Sequence, residues 1–404
     1  AYNSRKNYAR NYRVNYNSLN GSLTNAIAGL CSENPNNLLT SNGAYENGAA
    51  WLDVLAYDNF LIAYSPTATA ANNSYYGLFA DGSTSGNGYL DVRESGYNNE
   101  YTFNFGGNIA DRVFFGIGVG VTDLKYELIS DYGENLYGTN GETEIDATLY
   151  PMTTSEYSLY NELVLNGTGV NFKAGLIAYV TNSWRIGAAI HTPTYYSVRR
   201  TAYGDIINNY IYLENHLETQ ARSQSNTPVS TQHFSLRTPL RFMVGTSYQI
   251  GYKAIISADY EYTAYSKMKM SDENGYEDVY AYDNSDIGNY LKNTHTIRVG
   301  GEYRVTPQLS LRAGYSYTSS PVSDDWLDNR VYVPTAGTLP SYSLGRTKNN
   351  YSGGIGYRFR HVYIDAAYLH RRTSEEVMAY SAIPEKNISG SEIAHLITKN
   401  NNII

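Results

Sequence analysis

Nine ionised residues of this 404-residue sequence fall on one phase of a two-residue repeat: Arg185, Arg241, Asp259, Glu261, Arg298, Glu302, Arg312, Arg358 and Asp365. Their neighbours on the other phase are apolar, as in Ile297, Val299 and Tyr303 against Arg298, Gly300, Glu302 and Arg304. Side chains of a strand alternate between its faces, so one face collects the charges and glycines and the other the grease. Such a charged face does one of two things. Opposite charges on adjacent strands pair and hold a wet wall together, or arginines attract an anionic group such as a carboxylate.

Other chemistries fail on context. Gly116, Gly118 and Gly120 lie inside a strand pattern that continues through Thr122 to Lys125, whereas a nucleotide-binding glycine loop must open a helix. His191, His216, His233, His295, His361, His370 and His395 are never at metal-ligand spacing. No Gly-x-Ser-x-Gly nucleophile string occurs, so a Ser-His hydrolase on a barrel wall is not supported. The single Cys31 excludes an intrachain disulfide and a cysteine zinc site. A net charge of -8 argues against nucleic acid as a partner. The reading is of a protein that is not an enzyme and carries no metal or cofactor.

Residues 99–124, NEYTFNFGGNIADRVFFGIGVGVTDL, show what must position the charges. Val113, Phe115, Ile117, Val119 and Val121 alternate with Phe114, Gly116, Gly118, Gly120 and Thr122. Tyr101, Phe103 and Phe105 do the same before the polar turn at 108–111, which makes a hairpin. Composition agrees: 43 Tyr, 35 Gly and only 17% charged residues, against about 25% in soluble domains. Yet the mean hydropathy is -0.44. Strands with one face in lipid and one in water have this balance. The apolar runs 113–121 and 174–180 are far below the roughly 20 residues a membrane helix needs, but suit a spanning strand of about 9 to 11.

The cycle recurs along the chain. Val170, Phe172, Ala174, Leu176 and Ala178 turn at 181–183 into Trp184, Ile186, Ala188 and Ile190. Phe242, Val244 and Tyr248 turn at 251–252 into Ile256, Ala258 and Tyr260. Ile297, Val299 and Tyr303 turn at 306–308 into Leu311, Ala313 and Tyr315, and Tyr351, Ile355 and Tyr357 turn at 360–361 into Val362, Ile364 and Tyr368. Between hairpins lie long polar passages, about 192–232, 271–293 and 319–346, and residues 393–404 start a further strand. Short turns at one rim and long loops at the other describe an outer-membrane barrel. A midplane Arg facing lipid would cost about 2 to 4 kcal/mol, so the charges look inward. Residues 15–91 interrupt the pattern with helical spacing at 22–30 and 49–63, a helical extracellular insertion. Its aromatics Trp51, Phe60 and Phe79 are candidates for a hydrophobic capture surface.

The reading is a single all-β domain over 1–404: a transmembrane antiparallel β-barrel with 11 or 12 strands in this chain. Ala1 and Ile404 both fall inside strand patterns, and hydrocarbon tolerates no open sheet edge. The expectation is that the first strands and most of the last lie outside this sequence.

The hairpin at 99–124, the LAYDNFLI string at 55–62 after a helical stretch, and the Tyr-rich loops resemble the FadL/TodX outer-membrane transporter family in its Bacteroidetes form. The resemblance covers most of the chain. It implies a fourteen-stranded barrel with an N-terminal plug in a Gram-negative outer membrane, carrying long-chain fatty acids or other hydrophobic molecules passively inward. The family's Asn-Pro-Ala plug string is absent here, as expected if the N-terminus is missing. Partners would be membrane lipids and a hydrophobic small molecule. The alternative is a structural barrel of a secretion or protein-assembly complex, its loops docking outer-membrane proteins or lipoproteins.

Overall fold

The computed structural model describes residues 2–31, 39, 43–64, 75–360 and 362–403. Ala1, Ile404, the turn residue His361 and parts of the insertion (32–38, 40–42 and 65–74) lie outside these. Among the described residues no helix is long and apolar enough to cross a membrane.

After β1 (Tyr2–Tyr16) the chain leaves the wall for α1 (Leu23–Cys31), α2 (Trp51–Asp58) and the hairpin of β2 (Ile62–Tyr64) with β3 (Tyr75–Gly77). It returns as β4 (Ser85–Ile109), beside β1, and continues into β5 (Val113–Tyr137). A short β6 (Glu142–Ile145) leads into β7 (Thr148–Tyr179), which pairs with β5. Next to β7, β8 (Trp184–His191) and β9 (Tyr195–Glu214) lie end to end, parted at Pro193, which has no N–H for the ladder. The following stave is β10 (Leu217–Asn226), β11 (Ser230–Arg237) and β12 (Arg241–Ile250) in line. Then come β13 (Ala254–Thr263) with β14 (Lys269–Ser271) above it, α3 (Ala281–Tyr290), β15 (Thr294–Arg304) and β16 (Leu309–Thr318). A single-turn α4 (Asp324–Leu327), β17 (Tyr342–Arg358), β18 (Tyr363–Met378) and β19 (Ala394–Ile403) complete the wall.

With collinear segments counted once, the described residues form twelve antiparallel staves of a large, nearly closed barrel. At membrane height the ladders run without register shifts, which is what a bilayer demands. The face assignment holds at each stave. Phe103, Val119, Leu176, Phe242 and Leu311 point away from the barrel and are 63%, 41%, 47%, 41% and 44% exposed. Their alternates Gly118, Gly175, Gly245 and Arg312 point into the lumen.

The staves are longer than the sequence pattern suggests. β7 has 32 residues, about 105 Å of strand, where a bilayer crossing takes about 9 to 11 residues. The passage at 192–232, read from sequence as loop, is mostly β9, β10 and β11, and the passages at 271–293 and 319–346 contain α3 and α4. The physical reason is that these upper strands carry Tyr, Asn, Ser and Thr on both faces, so the apolar/polar alternation fades while the ladder continues.

Inside this upper half lies a dry core. Leu90, Tyr132, Leu136, Leu159 and Ile206, all on the lumen-facing phase of β4, β5, β7 and β9, are fully buried. They pack against Ile27 of α1, Leu55 and Ala56 of α2, and Leu61, Ile62 and Leu78. The insertion therefore sits within the barrel mouth. β3 closes on α1 so tightly that a Cβ on Gly77 would lie 2.5 Å from the Asn25 backbone nitrogen. Beside it the Leu78 N–H donates to Thr24 Oγ1 (2.9 Å) and the Phe79 N–H to Asn25 Oδ1 (3.1 Å).

Two outcomes follow from this placement. Val119→Arg puts a guanidinium into hydrocarbon at a cost of about 2 to 4 kcal/mol and should depress folding yield in lipid vesicles. Gly118→Ser faces the lumen, where its Cβ meets chiefly the movable end of Asn104, and should fold nearly normally; equal yields for the two would reverse the face assignment. Leu55→Ala, in the dry core, should cost roughly 2 to 5 kcal/mol. Hydrogen exchange should show that loss in the insertion and the upper strands, with the membrane-level staves still protected.

Candidate functional site

At membrane height the lumen wall carries the charged face, and the ladder brings its members together. Glu261 on β13 accepts from Arg241 of β12 through Nε (2.9 Å) and Nη2 (2.6 Å), and from Nη2 of Arg298 on β15 (2.6 Å). Glu261 is buried while both guanidiniums keep about two-fifths of their surface open to the lumen. One carboxylate thus serves two cations. Across β15 to β18, Arg312 donates to Glu302 (2.8 Å), Asp365 (2.5 Å) and the Tyr363 hydroxyl (2.6 Å). Here two carboxylates serve one cation.

The remaining candidates are held differently. The Arg185 guanidinium lies over the Tyr179 ring at 4.6 Å, and that of Arg358 over Tyr363 at 5.8 Å. Neither forms an ion pair with a described residue. Asp259 stands opposite Arg298 and Gly245 in the ladder and lines the lumen. The structure also brings in residues outside the candidate set. Lys173, His191 and Arg241 are successive direct neighbours across β7, β8 and β12, a row of basic side chains on the inner face. Glu100 meets Lys173 Nζ at 2.6 Å and accepts from Asn171 (2.9 Å). The phase of the repeat marks Lys173 and His191 as inward. Their adjacency depends on register, which no local pattern shows.

Five of these groups line a cavity of about 980 Å³. Phe114, Ile177 and Met243 supply apolar wall, and Lys173, Arg185, His191, Asp259 and Arg298 the polar one. It has the chemistry of an amphiphile site: grease for a tail, cations for a head.

The aromatics of the insertion are higher up. Phe79 is buried, Phe60 packs edge-on to Tyr210 with ring centroids 5.7 Å apart, and Trp51 packs on Tyr45 at 5.4 Å. Two buried acids belong to the same region. Glu134 of β5 accepts from Ser22 Oγ (2.5 Å), the Leu23 N–H (3.0 Å) and the Tyr132 hydroxyl (2.5 Å), so the wall itself caps the start of α1. Burial raises its pKa against these donors. Asp53 of α2 is pushed up to about 7 by burial, with Cys31 as its hydrogen-bond partner. On the far side of α2, Asn59 Nδ2 donates to Ser225 Oγ (2.6 Å), and Asn208 Nδ2 donates to the Asn59 carbonyl (2.9 Å).

The sequence profile of the family described as outer membrane protein transport protein (OMPP1/FadL/TodX) matches residues 75–392. The chain belongs to that family. As a FadL/TodX-family barrel it is a Gram-negative outer-membrane transport channel for hydrophobic compounds and not an enzyme. Comparison with individually curated proteins gives no match. Among solved structures it is similar to a Pseudomonas aeruginosa FadL homologue, at 15% identity over 80% of this chain and 74% of that one, TM-score 0.42. It is also similar to the Ralstonia pickettii toluene transporter TbuX (12% identity, 84% of each chain, TM-score 0.29). The Pseudomonas putida toluene transporter TodX gives 10% identity over 79% of this chain and 81% of that one, TM-score 0.31.

Asp53 gives this FadL/TodX-family chain a pH signature. Its folded pKa lies above the ordinary carboxyl value, so its contribution to stability is complete below about pH 4 and disappears as pH rises through about 7. Limited proteolysis between pH 5 and 8 should find residues 43–64 better protected at pH 5. Asp53→Asn should flatten that dependence, and an unchanged slope would place its origin elsewhere.

Proposed function

We propose that the chain is a passive uptake route for long-chain fatty acids or chemically similar amphiphiles with an anionic head. The observation that carries this is the cavity of about 980 Å³ at membrane height, whose walls divide into apolar side chains and an arc of cations. A carboxylate entering it meets Arg185, which lies over the Tyr179 ring without a carboxylate partner among the described residues, and Arg298, which shares Glu261 with Arg241. Charge-assisted hydrogen bonds to a guanidinium are roughly twice as strong as neutral ones, enough to orient the ligand head-first without trapping it. No energy source is required: the ligand moves down its gradient from one apolar surface to the next. Trp51, Phe60 and Phe79 lie in or beside the packed mouth, so in this reading they shape the entrance. A barrel that served only to dock proteins or lipoproteins would have no use for an open amphipathic cavity at this depth.

The test separates head from tail. Arg185→Gln leaves no described acid without its ion-pair partner and should weaken oleate binding to the purified barrel several-fold, while binding of the uncharged alcohol of the same chain length stays the same. Equal effects on both ligands, or none on oleate, would remove the anionic head group from the reading.

A further inference from the structure

From the outer face of β18 and β19 we infer a binding site for the phosphate groups of anionic outer-leaflet lipid, independent of what passes through the lumen. Arg372 and Lys399 are direct partners across the β18–β19 ladder. They share the phase of Ile364, Ala366 and Tyr368, so both point outward, and both are exposed. Neither forms an ion pair with a described residue, and the next outward acid, Glu376, is already held by Arg346 at 2.8 Å. Like charges directly opposite on one face repel each other. An anion between them removes the repulsion.

Height identifies the anion. Arg372 is nine residues beyond Tyr363, the first residue of β18 at the short-turn rim. At about 3.3 Å per residue and a tilt of about 40°, that is about 23 Å, against an apolar band about 25 Å tall. The pair therefore stands at the outer boundary of the hydrocarbon. Eight or nine residues from the rim, other staves place Tyr101, Val121, Val170, Tyr262 and Tyr317 outward, so the doubled cation belongs to this sector.

The surroundings suit a lipid head. On the adjoining staves Tyr315 and Tyr351 pack at a tilt of 42° with centroids 5.2 Å apart, and the Tyr368 hydroxyl donates to Asn401 (2.8 Å), so aromatic and amide groups share this outer face. The outer leaflet of a Gram-negative outer membrane presents phosphorylated glycolipid at this level. Arg can take a phosphate bidentately while Lys supplies a point charge.

The experiment purifies the full chain from native outer membrane in mild detergent and counts bound phosphorylated glycolipid by native mass spectrometry. Arg372→Gln with Lys399→Gln should lower retention about tenfold. Arg371→Gln, whose side chain faces the lumen and donates to Asn350 (3.1 Å), should retain as much as the wild type. Lys399→Glu guards against a folding defect: it supplies Arg372 with a carboxylate and should give a heat-modifiable, folded barrel that has lost the lipid. Wild-type retention in either Lys399 variant overturns the site, as does equal binding of glycolipid stripped of its phosphates.

Discussion

The constraint behind this molecule is that hydrocarbon offers no hydrogen-bond partner to a peptide group, and an unpaired one costs several kcal/mol. A chain that crosses with strands must therefore pair each one along its membrane-level length. Once the ladder is laid down, the two-residue period sends half the side chains into lipid and half into the lumen. The apolar exterior of Phe103, Val119 and Leu176 and the inward charges around Glu261 are two results of that one geometry. Neither could be changed alone.

The same staves then serve two interiors. At membrane height the lumen is wide and polar, and its charges are satisfied in small cross-strand groups such as Arg241, Glu261 and Arg298. Further up, the identical phase of β5 and β7 carries Tyr132 and Leu159 instead, and the insertion fills the space between them. Glu134 joins the regimes: it is a wall residue by sequence position and a helix cap by contact. The barrel is therefore dry and packed at the mouth and wet at membrane height.

Much of the membrane-level fold was legible in the sequence because lipid leaves no ambiguity: a run such as Val113 to Val121 with glycines between has few other uses. The inward direction of Arg298, Glu302 and Arg312 followed from the cost of the alternative. The upper strands were not legible, since Tyr196 to Tyr212 presents Tyr, Arg and Asn on both phases and nothing tells a tall strand from a polar loop. Lys173, His191 and Glu100 escaped the candidate set for a different reason. Nothing within its own strand sets any of them apart from its other polar residues, and only the β4 to β12 register brings them into one row with Arg241. Likewise the helical spacing at 22–30 and 49–63 announced helices, but their position inside the mouth comes from contacts some hundred or more residues away, such as Ser22 with Glu134 and Asn59 with Ser225.

The β4–β5 hairpin is held by an unbroken register from Ile109 opposite Val113 to Ser85 opposite Tyr137. Sliding β4 by a single residue would exchange its two faces along that whole length, exposing Glu100 to lipid and turning Phe103 toward water. Length variation among descendants of this chain is therefore confined: single-residue insertions can survive above Tyr137 or in the excursion before Ser85, whereas within the hairpin only changes in pairs, matched on both strands, keep the protein amphipathic. Evolution can lengthen this wall only by whole pleats.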